Sequence, residues 1–186
     1  RAGVRPSFRD PRLYADVNVN GTLVLLEAAR RQVSQFVFGS SSSVYGVSPR
    51  IPFDKPLDKL GTSLRAAPFG EDDPCDAPIS VYAATKRAGE LLSYTYHHSY
   101  GLPVTCLRFF TVYGPRQRPD MAIHLFTRLI DGGQEITLFG DGSTRRDYTY
   151  IDDIVAGVVS ALERPFPFEI INLGGAQTTP LVELVR

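Results

Sequence analysis

Apolar positions along the chain recur at two different spacings, and the switch between them predicts where helices give way to strands. Between Asp10 and Gln32, Leu13, Val17, Leu23, Leu26 and Ala29 fall near every 3.6 residues. This predicts a helix with Arg30 and Arg31 in its last turn, where cations suit the dipole. Gly21 inside that pattern costs about 1 kcal/mol relative to alanine and so predicts close packing against a neighbour. Gln35-Phe36-Val37-Phe38-Gly39 is a short, continuously apolar run of the kind buried on both faces of a parallel sheet. A second helix is predicted from Ser80, as N-cap, to about Tyr100, stopped by Gly101 and Pro103. Val104 to Phe110 repeats the buried-strand pattern. Helix, strand, loop, helix, strand is the order of a doubly wound α/β sheet, whose ligands bind beyond the carboxyl ends of the strands.

After Arg118 the texture changes. A short helix is predicted over Met121 to Leu129, a short strand over Ile136 to Phe139, and a turn over Gly140 to Ser143. Arg145 to Tyr150 leads into a helix from Ile151 to Leu162, and Glu169 to Gly175 forms a last strand and turn. The division expected is a sheet domain over residues 1–118 and a smaller lobe over 119–186. Residues 47–79 are loop-like, with prolines at 49, 52, 56, 68, 74 and 78, and Asp54 to Arg65 shows no period at all.

Composition narrows the classes. Hydrophobic residues make up 43% and charged residues 22% of the 186, ordinary for a soluble globular chain. Twenty basic and 20 acidic residues cancel, so no global field argues for nucleic acid or an anionic membrane. Cys75 and Cys106 have no metal or redox spacing, and His97, His98 and His124 show no ligand pattern, so no metal site is expected. No apolar run reaches the ~20 residues of a membrane span and no signal peptide is visible; a cytoplasmic location is expected. The chain opens on Arg1 without an initiator methionine and stops at Leu184-Val185-Arg186, in what reads as the first turns of a helix. It is expected to be a segment of something longer.

The chemistry centres on Tyr82 and Lys86, four apart and therefore on one helix face. An ammonium beside a phenol favours the phenolate, whose ordinary pKa is about 10, which makes Tyr82 a candidate general acid/base. A serine of the run Ser40-Ser41-Ser42-Ser43 is its candidate partner. Tyr-x-x-x-Lys also arises by chance on helix faces, so the pair counts only with its surroundings. Gly140 and Gly142 read as a turn, because no helix follows directly and no Gly-Lys-Ser/Thr is present.

Those surroundings carry a resemblance. Asn18-Val19-Asn20-Gly21-Thr22, Ser40 to Gly46, Tyr82 to Lys86, Leu107 to Pro115 and Arg146 to Asp153, in that order, resemble the extended short-chain dehydrogenase/reductases, specifically the NAD-dependent nucleotide-sugar epimerases and dehydratases. The resemblance runs through nearly the whole chain. It implies a partial Rossmann-type sheet with a smaller C-terminal lobe that binds a sugar nucleotide, and NAD as cofactor. It implies that Tyr82 takes the proton of the sugar 4-hydroxyl, that Ser41 hydrogen-bonds the same oxygen, and that Lys86 holds the nicotinamide ribose; Phe110 joins Ser41, Tyr82 and Lys86 beside the cofactor. Sugar 4,6-dehydratases carry an aspartate and a glutamate where this chain has Ser42 and Ser43, so dehydration is disfavoured. Thr111 stands where relatives acting on UDP-glucose have asparagine, and the run to Met121 is similar to the UDP-glucuronate 4-epimerases. Ser42, Ser43 and Thr111 are then candidates for a C6 carboxylate, with Arg118 on that carboxylate or the diphosphate. Arg146 is implied for the diphosphate, the rival reading being a surface pair with Asp147. Phe139 flanks the uracil or is a plain strand residue, and Asn18 touches the cofactor region or ties down a helix turn. The resemblance also implies a homodimer that pairs the Asp10–Gln32 and Ser80–Tyr100 helices in a four-helix interface.

The chain departs from that family pattern. The Gly-x-x-Gly-x-x-Gly turn for the dinucleotide is absent with the first strands, about 80 residues by comparison. A further diphosphate-binding arginine is also absent, Asp54 to Arg65 looks inserted, and Val81 stands where proline is common. Little turnover is therefore expected of these 186 residues alone. The open alternatives are a UDP-glucose-type 4-epimerase, a UDP-glucuronate decarboxylase, and a non-catalytic module that binds sugar nucleotide or a partner.

Overall fold

The computed structural model describes residues 1–46, 69–138, 142 and 144–186. The Asp54–Arg65 insertion and Phe139 lie outside the described residues. The chain forms an α/β structure of two compact units, residues 1–108 with 161–172, and residues 109–160 with 173–186. The break falls after Arg108 rather than at 118, and one later segment returns to the first unit.

In the first unit the chain enters through α1 (Val4–Arg9) and α2 (Pro11–Ala15). Asp10 caps α2 by accepting from the Leu13 N–H at 3.1 Å, and Pro11 takes the first helical position, where a missing N–H costs nothing. A π-turn over Asp16–Asn20 joins α2 to α3 (Gly21–Ala29). The helix expected from Asp10 to Gln32 is thus one helical stretch with a widened turn inside it. Gly21 does not mark a close approach: a Cβ there would meet nothing nearer than the Asp16 carbonyl oxygen at 3.9 Å. The close approach is at Gly89, where a Cβ would lie 2.2 Å from the Phe38 ring.

Three strands, β1 (Phe36–Ser41), β2 (Val104–Phe109) and β5 (Phe168–Leu173), form a sheet in the order β1-β2-β5. Their starts are aligned: Phe36 N–H donates to Pro103 and Val104 N–H to Pro167, as parallel strands require. The long helix α4 (Val81–Tyr100) begins at Ser80, whose hydroxyl accepts from Ala83 N–H at 3.1 Å, and ends at Gly101 with φ 68°. The sequence sets both ends by the expected means, an N-capping hydroxyl and a left-handed glycine. Leu26, Phe38, Tyr96, Leu102, Val104 and Cys106 form the core between these helices and the sheet.

The second unit is built on a sheet in the order β3-β4-β6. Strand β3 (Thr111–Tyr113) runs parallel to β4 (Arg145–Tyr150), with Thr111 opposite Tyr148; β4 pairs antiparallel with β6 (Thr178–Pro180), with Arg146 opposite Thr179. The helices are α5 (Ala122–Asp131), α6 (Ile151–Glu163, its first ten residues in this unit) and α7 (Leu181–Val185). The strand expected over Ile136–Phe139 is absent from its described part, Ile136 to Leu138. A β-prone triplet such as Ile136-Thr137-Leu138 becomes a strand only where a sheet accepts its backbone, and the described sheet is made of other segments.

Candidate active site

Tyr82 and Lys86 lie one turn apart in the first half of α4. The Lys86 ammonium donates to the Gly39 carbonyl of β1 at 2.7 Å and stands 5.2 Å from the centre of the Phe38 ring. Its partial burial, with no carboxylate partner among the described residues, pushes its pKa below the ordinary lysine value. The half-buried Tyr82 ring meets Tyr14 edge to face, with ring centres 6.2 Å apart. Ser41 ends β1, two residues beyond the carbonyl that Lys86 holds. Its hydroxyl oxygen accepts from the Ser43 N–H at 3.2 Å and so caps a 3-10 turn over Ser42–Tyr45. The hydroxyl hydrogen remains available to donate. Ser42 and Ser43 are half-buried in that turn. Gly46 closes it at φ 59°, where a Cβ would fall 1.9 Å from the Ala77 carbonyl, so only glycine fits.

Beneath the serine turn lies a buried network that the sequence reading did not single out. Arg108 and Glu90, each 1% exposed, form a two-pronged pair with both contacts at 2.9 Å. Glu90 also accepts from the Ser40 hydroxyl at 2.6 Å and from Arg87 at 3.0 Å. Arg108 continues to the Tyr45 hydroxyl at 2.9 Å and to the Glu71 carbonyl at 3.1 Å. Tyr45 donates onward to Asn172 at 2.7 Å and stacks on Phe69, with centres 4.5 Å apart. Burial alone would raise the Glu90 pKa, but the hydrogen bonds from Arg108, Ser40 and Arg87 outweigh it and hold the carboxyl below its usual range. Burial raises the Tyr45 phenol despite its bond from Arg108. One signal was present in the sequence: a cation inside the apolar run Val104 to Phe110 requires a buried partner.

Asn18 lies in the π-turn and is buried. Its amide donates to the Thr85 hydroxyl at 3.0 Å, and Thr85 in turn donates to the Tyr82 carbonyl at 2.8 Å. Asn18 therefore ties the first helical stretch to the Tyr82–Lys86 segment rather than only to its own turn. A widened turn of this kind often marks a functional position.

The remaining candidates belong to the second unit. The Phe110 N–H donates to Leu173, and its ring lies beside Gly174, where a Cβ would stand 3.2 Å from it. Thr111 is half-buried at the start of β3. The Arg118 guanidinium grips Asp120 through contacts of 3.0 and 2.9 Å at the surface. Arg146 is exposed on β4, whereas the next residue, Asp147, faces the other side and accepts from Thr149 at 2.7 Å and Gly175 N–H at 3.0 Å. Strand alternation thus separates Arg146 from the partner its rival reading required. Two clefts of about 360 and 440 Å³ border α5, and no candidate residue lines either. Among the described residues no group of histidine, cysteine and carboxylate side chains could hold a metal, and no helix is long and apolar enough to cross a membrane.

Comparison with known proteins matches residues 1–174 to the model of the NAD dependent epimerase/dehydratase family. The chain belongs to that family. It is 48% identical over 179 residues to a UDP-glucuronate 4-epimerase of Thermodesulfobacterium geofontis, covering 95% of this chain and 50% of that protein. It is 42% identical to UDP-glucuronate 4-epimerase 5 of Arabidopsis thaliana, covering 100% of this chain and 43% of that one. Among solved structures, the Bacillus cereus UDP-glucuronic acid 4-epimerase in complex with UDP-glucuronic acid and NAD superposes with a TM-score of 0.78 at 38% identity, over 98% of this chain and 54% of that one. The Thermotoga maritima UDP-glucose 4-epimerase with UDP-glucose gives 0.85 at 32% identity, over 100% of this chain and 56% of that one. The chain thus spans about half the length of the epimerases it matches, and the likeness supports the expected Rossmann-type fold.

Proposed function

We propose that the natural chain carrying these residues is an NAD-dependent 4-epimerase of a UDP-sugar, with UDP-glucuronate and UDP-galacturonate as its substrate pair. One observation carries the reading: Lys86, one turn from Tyr82, holds the β1 carbonyl two residues before Ser41, so phenol, ammonium and serine hydroxyl are kept in one register. The relatives named above support the substrate class.

A half-buried ammonium with donor capacity beyond its one backbone bond suits a ribose diol, so Lys86 fits the nicotinamide end of NAD with Ser41 and Tyr82, and Phe110 is assigned there by the family resemblance alone. When bound, NAD supplies the acceptor and donor of the hydride at the sugar C4. Tyr82 removes the proton of the C4 hydroxyl and later returns it. Ser41 donates to that oxygen and so favours the ketone formed between the two transfers. Lys86 keeps a positive charge near the Tyr82 oxygen and favours its anionic form. The family resemblance alone assigns Ser42, Ser43 and Thr111 to the C6 carboxylate, through hydroxyls short enough to let the 4-keto sugar turn and accept hydride on its other face. Arg146 neutralises the diphosphate, and Arg118 the carboxylate or the diphosphate, as guanidinium groups do well. Phe139 is assigned to the uracil by the family resemblance alone. The homodimer is likewise proposed, through α3 and α4, which carry exposed Val24, Leu25 and Leu91.

The reading is tested by following UDP-glucuronate with NAD in the natural chain. Conversion to UDP-galacturonate supports it. Release of CO2 indicates the decarboxylase alternative, equal use of UDP-glucose the less selective epimerase, and binding without turnover the non-catalytic module.

A further inference from the structure

Three consecutive residues of β1 each meet a dedicated residue of α4. The Phe38 ring fills the space left by Gly89, the Gly39 carbonyl takes the Lys86 ammonium at 2.7 Å, and the Ser40 hydroxyl donates to Glu90 at 2.6 Å. The next residue is Ser41. Glu90 is one turn beyond Lys86 and two beyond Tyr82, so Tyr82, Lys86 and Glu90 form a single stripe along α4. Of the three contacts, the Lys86 bond involves a residue that the proposed function also commits to the cofactor, and the Phe38 contact is apolar and undirected. The Ser40–Glu90 bond alone is buried, directional and made by residues that the proposed function gives no contact with cofactor or substrate, Ser40 being 3% and Glu90 1% exposed. Arg108 holds both Glu90 oxygens and fixes where that bond points. The same guanidinium reaches Tyr45 at the far end of the serine turn.

We propose that Ser40 and Glu90, anchored by Arg108, are positioning residues that set the Ser41 hydroxyl against the Tyr82–Lys86 face of α4. They touch neither substrate nor cofactor and act through Ser41 alone. The proposal rests on the epimerase reading for its kinetic consequence, but its structural content stands apart from it. With Lys86 drawn toward a cofactor, the Ser40–Glu90 bond keeps β1 and α4 in register. With it removed, the Ser41 turn loses its tether on the strand side while Glu90 stays paired with Arg108 and Arg87.

The test is Ser40→Ala in the natural chain, alone and combined with Ser41→Ala. Alone, it is expected to lower kcat about tenfold, as loss of one hydrogen bond to a charged group does, with KM for the UDP-sugar unchanged. In the Ser41→Ala background the same substitution is expected to cost nothing further, because the residue through which it acts is gone. Amide hydrogen exchange, measured without substrate, is expected to quicken across Ser42 to Gly46 and not along the middle of α4. An equal loss of kcat in both backgrounds, or unchanged exchange in the turn, would overturn the proposal. If no UDP-sugar is turned over by the parent chain, the proposed function fails and the exchange comparison alone decides the positioning claim.

Discussion

Tyr82 and Lys86 share a helix face, yet different neighbours hold them: Tyr82 leans on Tyr14, and Lys86 is fastened to the backbone of β1. Tyr82→Phe keeps the ring and removes the proposed acid/base hydroxyl. It is expected to lower kcat by about a thousandfold, the scale of positioned proton transfer. Glu90 makes a pH prediction. Its folded pKa lies below the unfolded value of about 4.3, so its stabilisation is complete above that value and is lost as pH falls through the folded pKa. Glu90→Gln leaves Arg108 buried without its carboxylate and should cost about 3 kcal/mol at neutral pH. Denaturant titrations from pH 7 to 3 should show that cost shrinking as the parent protein loses its own carboxylate charge. The Tyr82–Lys86 pair was legible in the sequence because its spacing is local. The Glu90–Arg108 pair was not, since eighteen positions separate residues that no period connects.

At the scale of elements, α4 was readable at both ends, because a capping serine and a left-handed glycine are local signals. Ser80→Ala should lower stability by about 1 kcal/mol, read by denaturant titration. Gly89→Ala tests the β1–α4 contact. Alanine favours a helix by up to about 1 kcal/mol, but its Cβ would press into the Phe38 ring, 2.2 Å from its tip. Net destabilisation of about 1–3 kcal/mol is expected from the overpacking. Stabilisation by this change would mean that the strand and helix are not closely fitted. The short strands were harder to read. Strand β4 alternates exposed and buried residues, but its inward positions are Asp147 and Thr149, and polar residues on the buried side hid the period of two. Their polarity is explained by the Gly175 N–H, which both accept.

For the whole molecule, the sequence order of helices and strands was enough to expect an α/β fold, and the family likeness supports it. The division at 118 was less legible, because compactness depends on contacts made by residues 161–172 far along the chain. The proposed dimer gives a prediction at this scale. Val24→Glu with Leu91→Glu places charges on exposed apolar positions of α3 and α4 and should yield monomers in sedimentation, while an unchanged mass would remove these helices from the interface. The central claim is the 4-epimerisation itself, and the most direct measurement follows UDP-glucuronate by NMR in the natural chain with NAD. UDP-galacturonate should appear and approach an equilibrium mixture, with no CO2 released and with the rate lowered about a thousandfold in Tyr82→Phe. Loss of the C6 carbon, or an undiminished rate in Tyr82→Phe, would contradict the account.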